Sequence, residues 1–111
     1  MKRKIKVIIE ERVNETTYER VMVKPYSLEQ KFDLEVMSDN FTSIVLALMN
    51  ASGDYPTEKQ DEVCDVIEAL KLGAAIFDND ETGWILKDVV YMFQWALDRG
   101  NEFSIYVMLD E

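Results

Sequence analysis

Phe103-Ser104-Ile105-Tyr106-Val107-Met108-Leu109 alternates apolar residues at 103, 105, 107 and 109 with Ser104, Tyr106 and Met108. A period of two is the signature of a strand with one face buried. The stretch matters because of what precedes it. Phe41, Ile44, Val45 and Leu48 fall at helical spacing, Asp39 is placed to cap that helix and Gly53 to stop it. A second helix follows Pro56, with Thr57 and Gln60 set as a capping box, and runs to Gly73. A third runs from about Thr82 to Arg99 with the stripe Leu86, Val89, Val90, Phe93, Ala96 and Leu97, and Gly100 stops it. The chain therefore returns to a strand after three helices.

The amino-terminal third reads as strands. Ile5, Val7 and Ile9 alternate with Lys4, Lys6 and Glu10, Val13–Thr16 is a polar break, and Tyr18–Val23 forms the second arm of a hairpin, with Val21 and Val23 on one face. Pro25 is expected to end that arm, because proline cannot donate to a central ladder. Ser27-Leu28-Glu29-Gln30 has the form of a capping box, but Phe32, Leu34 and Val36 alternate with Asp33, Glu35 and Met37, and a third strand is the expectation. The order is β-β-β-α-α-α-β. Strands in runs and helices in runs predict an α+β fold: an antiparallel sheet of about four strands with three helices packed on one face, spanning residues 1–111 as a single domain. The second sheet face, carrying Ile8, Tyr18, Met22, Met37, Tyr106 and Met108, is more apolar than a fully solvated face requires.

Charge is divided along the chain. Residues 1–31 hold eight Lys/Arg against five Asp/Glu, and residues 32–111 hold four against seventeen, for a net charge of −10. An acidic chain is repelled by free nucleic acid and anionic lipid, so direct contact with either is not expected, whereas basic partners are steered toward it. The basic opening Lys2, Arg3, Lys4 and Lys6 suits an edge strand that must not pair with another sheet. Cys64 is the only cysteine, so no disulfide can form within the chain and a reducing, cytoplasmic location is expected. Lys6 and Glu10-Glu11-Arg12 interrupt the first apolar run too early for a secretory segment, and no apolar run is long enough for a membrane helix.

Zero histidine removes the commonest general base, the commonest zinc ligand and every Ser-His or Cys-His nucleophile. There is no glycine-rich phosphate loop. No catalytic residues, metal ligands or cofactor are assigned, and the expectation is that the protein is not an enzyme. Cys64, at the margin of an apolar helix face, is expected in the core. Asp78-Asn79-Asp80-Glu81-Thr82-Gly83 imitates a calcium loop at its first, third, fifth and sixth positions, but Val89 stands where the bidentate glutamate should be. The segment reads as an acidic turn before the third helix.

The second helix carries the most pointed pattern. At 100° per residue, Glu58, Asp61, Glu62, Asp65 and Glu68 fall within an arc of about 120°, opposite Val63, Val66, Ile67 and Leu70. Lys59 and Lys71 are expected to point away. Like charges four apart, Glu58/Glu62 and Asp61/Asp65, cost about as much as opposite charges gain, roughly 0.2–0.5 kcal/mol per pair. A charge row is most often a solvated face. A row left unneutralised is also a ready surface for a basic groove, because duplex DNA presents one negative charge per about 1.7 Å. Asp54, Asp78, Asp80 and Glu81 are expected to extend the field if the fold places them nearby, and Tyr55, Trp84, Trp95 or Tyr91 to anchor it, with both tryptophans mainly in the core. Small acidic inhibitors of nucleic-acid enzymes (anti-restriction and anti-CRISPR proteins of phages, toxin-immunity proteins) share this general character, although no stretch carries a family motif. The functional expectation is a DNA-mimic, protein-binding inhibitor that meets a basic nucleic-acid-processing enzyme through Asp54, Tyr55, Glu58, Asp61, Glu62, Asp65 and Glu68. The alternative is a structural or assembly protein that forms a homodimer through the second face of its sheet.

Overall fold

The computed structural model describes residues 2–29, 40–76 and 81–110. Strands β1 (Lys2–Arg12) and β2 (Tyr18–Glu29) form a hairpin. Its tip is held locally: the Val13 amide donates to the Thr17 carbonyl at 3.0 Å, and the Asn14 side chain accepts from the Thr16 amide at 3.0 Å. Helix α1 (Asn40–Ala51) follows, then a short strand β3 (Gly53–Tyr55), a 3-10 turn at Thr57–Lys59, helices α2 (Gln60–Ile76) and α3 (Glu81–Arg99), and strand β4 (Phe103–Asp110). The four strands form one antiparallel sheet in the order β2-β1-β4-β3. The α+β class read from the sequence is the class observed.

The described sheet differs from expectation in four details, the first being that β1, whose lysines suited an edge strand, lies inside the sheet between β2 and β4. A strand the sequence reading did not contain, Gly53-Asp54-Tyr55, lies between α1 and α2, while the strand expected over Phe32–Val36 lies outside the described residues. Pro25 does not end β2, which continues to Glu29. Among the described residues β2 is an edge strand, where a proline with no N–H to offer the outer side is tolerated. Finally, Ile9 pairs with Met22 but Glu10 with Arg20, so Val21 is an extra residue in a bulge. The bulge resets the alternation: Val21 and Met22 both pack on the helix side, and Val23 turns to the other face opposite Ile8. Met22 is thus a core residue rather than part of the second face.

The core lies between the sheet and the helices. Ile5, Val7 and Ile9 from β1, with Phe103 and Ile105 from β4, meet Leu48 and Ala51 of α1, Val63, Ile67, Leu70 and Ala74 of α2, and Val89, Val90, Phe93 and Ala96 of α3. At its centre Tyr55 stacks on Phe103 with centroids 5.4 Å apart, and Phe93 meets both rings edge-on. This aromatic triad explains why three residues suffice for β3: Tyr55 contributes a large buried area that a short strand otherwise lacks.

α2 does not stop at Gly73 but runs through it to Ile76. A Cβ at Gly73 would stand 3.2 Å from Leu86 Cδ1 of α3, so the glycine permits close approach of the two helices. Gly100 does stop α3: its φ is 73° and its amide donates to the Leu97 carbonyl at 3.0 Å. At this end the Arg99 guanidinium donates to both oxygens of Glu11, and Asn101 donates to one of them at 3.2 Å. No helix among the described residues is long and apolar enough to cross a membrane.

Candidate functional site: the acidic edge of the second helix

α2 is fixed by its buried side, where Val63, Ile67, Leu70 and Ala74 seat it on the core. That placement turns Asp61, Glu62, Asp65 and Glu68 outward, and all four are exposed. Over the seven steps from Asp61 to Glu68, at about 1.5 Å each, they line roughly 10 Å of helix. Glu58 is exposed as well, but it stands in the 3-10 turn ahead of α2, where Lys59 donates its amide to the Pro56 carbonyl at 2.9 Å. It precedes the row rather than sharing its helical spacing.

The row is partly neutralised at its far end. Lys71 was expected to point away, yet its Nζ lies 3.6 Å from Glu68 Oε1. Positions three apart are only about 60° apart around a helix, within reach of a lysine stem. Among the described residues Glu58, Asp61, Glu62 and Asp65 have no ion-pair partner. Asp61 and Glu62 sit in the first turn of α2, where the helix dipole favours negative charge; Asp65 has no such support.

Asp54 and Tyr55, both expected at the site, are placed elsewhere. Tyr55 is only 6% exposed, belongs to the aromatic triad and donates its hydroxyl to the Ala51 carbonyl at 2.6 Å. It is a core residue, not a surface anchor. Burial, together with the negative field of Glu62, raises its hydroxyl above the ordinary tyrosine range. Asp54, its neighbour in β3, points to the opposite face of the sheet and accepts a 2.5 Å hydrogen bond from Ser104. Strand alternation separates them: one residue's step moves a side chain from the helix side to the open side.

Aromatic surface is present, but on α3. Trp84 is 61% and Tyr91 71% exposed, while Trp95 is half-buried with the Arg99 guanidinium 4.7 Å from its ring centroid. Trp84 was expected inside. Its place seven residues from Tyr91, off the Leu86/Val89/Phe93 stripe, is the signal that marks it as external. A groove of about 470 Å³ between α2 and α3 is bounded by Lys71, Ala74, Ala75, Val90, Tyr91 and Gln94, among others. Cys64 is exposed on α2, not in the core.

On the open sheet face, Ile8 is fully buried between cross-strand neighbours Val23 and Tyr106, whereas Val23 and Met108 are exposed. The Tyr106 hydroxyl donates to Glu10 at 2.6 Å, and Arg20 lies 3.6 Å from the same carboxylate oxygen. Met37 lies outside the described residues, as do Asp78, Asn79 and Asp80 of the calcium-like segment, whose Glu81 to Gly83 open α3. Among the described residues no group of three or more Cys, Asp or Glu is arranged to hold a metal ion. No family model, curated protein or solved structure matches this chain.

Proposed function

We propose that this chain is a non-enzymatic binding protein that presents the acidic edge of α2 to the basic, nucleic-acid-binding surface of an enzyme and so occludes it. One observation carries the reading: four neighbouring carboxylates, Glu58, Asp61, Glu62 and Asp65, stand exposed and without an ion-pair partner among the described residues, on or beside a helix anchored by buried Val63, Ile67 and Leu70. A rigid row keeps its spacing when bound, so little ordering entropy is lost on association. The net charge of −10 adds long-range steering toward a cationic groove.

The test compares wild type with E58Q/D61N/E62Q/D65N as bait in nuclease-treated host lysate, eluted by stepwise salt. The expected result is a basic nucleic-acid enzyme held by wild type, released as salt rises, displaced by duplex DNA and lost from the variant. Equal capture by the variant rejects the acidic edge as the contact.

A second reading, a homodimer through the open sheet face, is favoured by exposed Val23 and Met108 beside Ile8. Its mark is association that survives high salt, since apolar contacts are not screened. V23E/M108E would then sediment as a monomer where wild type does not.

A further inference from the structure

Between β2 and α3 lies a cavity of about 380 Å³, lined by Met22 and Lys24 from the strand and by Asp88, Tyr91, Met92 and Trp95 from the helix. Positions 88, 91, 92 and 95 share one face of α3 by helical spacing. The bulge at Val21 is what brings Met22 to the helix side opposite them. The lining therefore combines one carboxylate, one ammonium, two aromatic rings and two thioethers.

The carboxylate is already oriented. Tyr26 donates its hydroxyl to Asp88 Oδ2 at 3.2 Å, and Asp88 has no ion-pair partner among the described residues, although Lys24 lines the same cavity. The aromatic wall already meets one guanidinium: that of Arg99, on the same helix, stands 4.7 Å from the Trp95 ring centroid. We propose that this cavity receives a guanidinium side chain, an arginine of the basic partner, with Asp88 as counter-ion and Tyr91 and Trp95 as π-surfaces. The inference rests on the reading of the partner as basic and adds a second contact, on a different element from the acidic edge.

Arginine fits better than lysine for physical reasons. Its planar guanidinium is weakly hydrated, stacks on aromatic faces and forks onto a carboxylate, whereas an ammonium is a compact and strongly hydrated charge. Lys24 is exposed and its charge opposes any cation entering. That opposition gives the proposal a sign: removing the Lys24 charge tightens a cationic occupant and weakens an anionic one.

The test uses the W84F variant, which leaves Trp95 as the single tryptophan, and follows its indole ¹H–¹⁵N resonance. The probe is Nα-acetyl-arginine amide, with Nα-acetyl-glutamate amide as the control. Expected are a saturable displacement by the arginine probe only, about tenfold weaker binding in D88N, which keeps an acceptor for Tyr26, and severalfold tighter binding in K24Q. An unmoved Trp95 resonance, an equal response to the glutamate probe, D88N binding as well as its parent, or weaker binding in K24Q would overturn it. The titration needs no partner and leaves α2 untouched. A silent Trp95 alongside capture that depends on the α2 carboxylates would discard the cavity and keep the acidic edge.

Discussion

Glu11 is the one charged side chain fully buried among the described residues, and its surroundings show how a single residue ties the chain's ends together. It sits near the end of β1 and accepts from Arg99, the last residue of α3, and from Asn101 in the turn to β4. Those donors favour the ionised form, Arg99 most of all, and against the opposing cost of burial they hold the carboxyl below its ordinary value of 4.5. A lowered folded pKa contributes stability above the unfolded value, lost as pH falls through the folded one. E11Q should therefore destabilise the protein by about 1–2 kcal/mol at neutral pH. Thermal melts should show the gap between variant and wild type closing as pH drops below 4.5; a gap that persists in acid would mean that packing, not charge, is what the substitution removes. Cys64 gives a second residue-level expectation. It was read as core because it borders the apolar arc of α2, yet it is exposed, since the arc that reaches the core is the narrower one through Val63, Ile67 and Leu70. Ellman's reagent should titrate one thiol per native chain at a rate close to that in denaturant. A protected thiol would show the surface of α2 to be covered in solution.

At the level of elements, what could be read from sequence was what repeats. β1, α3 and β4 announce themselves because several successive residues obey one period, and the acidic row because carboxylates recur on one arc, four of the five read there standing on α2 and Glu58 in the turn ahead of it. β3 could not be read: three residues hold no period, and its existence depends on Tyr55 meeting Phe93 and Phe103 from distant parts of the chain. The bulge at Val21 is equally silent in sequence, and it exchanges the faces of Met22 and Val23. It also builds the β2 wall of the cavity against α3, which no spacing along the chain reveals. Gly73 misleads for a related reason. Glycine commonly ends helices, but here it lies inside α2 to admit Leu86. Alanine there gains about 1 kcal/mol of helix propensity and loses most of it by pressing on Leu86, so G73A should change stability by less than about 0.5 kcal/mol. Valine cannot be absorbed, and G73V should cost about 1–3 kcal/mol. Chemical denaturation of both variants measures the contact directly; a G73V as stable as wild type would mean that the helices are free to separate.

For the whole molecule, the question is whether a surface costs stability and is kept for another reason. Asp65 offers the clearest answer. It stands four residues from Asp61 and three from Glu68, beyond the first turn of α2, in a chain that already carries −10. Lysine at this position converts two like-charge neighbours into two attractive ones, and D65K should raise stability by roughly 0.5–1 kcal/mol in dilute buffer. The gain should shrink toward zero near 1 M salt, where the screening length falls to about 3 Å. On the proposed function, capture of a basic partner should move the other way, because the substitution places a cation in the middle of the edge proposed to meet it. Opposite signs from one residue separate the two explanations of the row. A merely solvated face has no binding to lose, so D65K would then be stabilising and otherwise silent. A contact surface holds its charges against their mutual repulsion because the partner's cations relieve that repulsion on binding. Denaturation and partner capture on this single variant, each at low and high salt, decide between them.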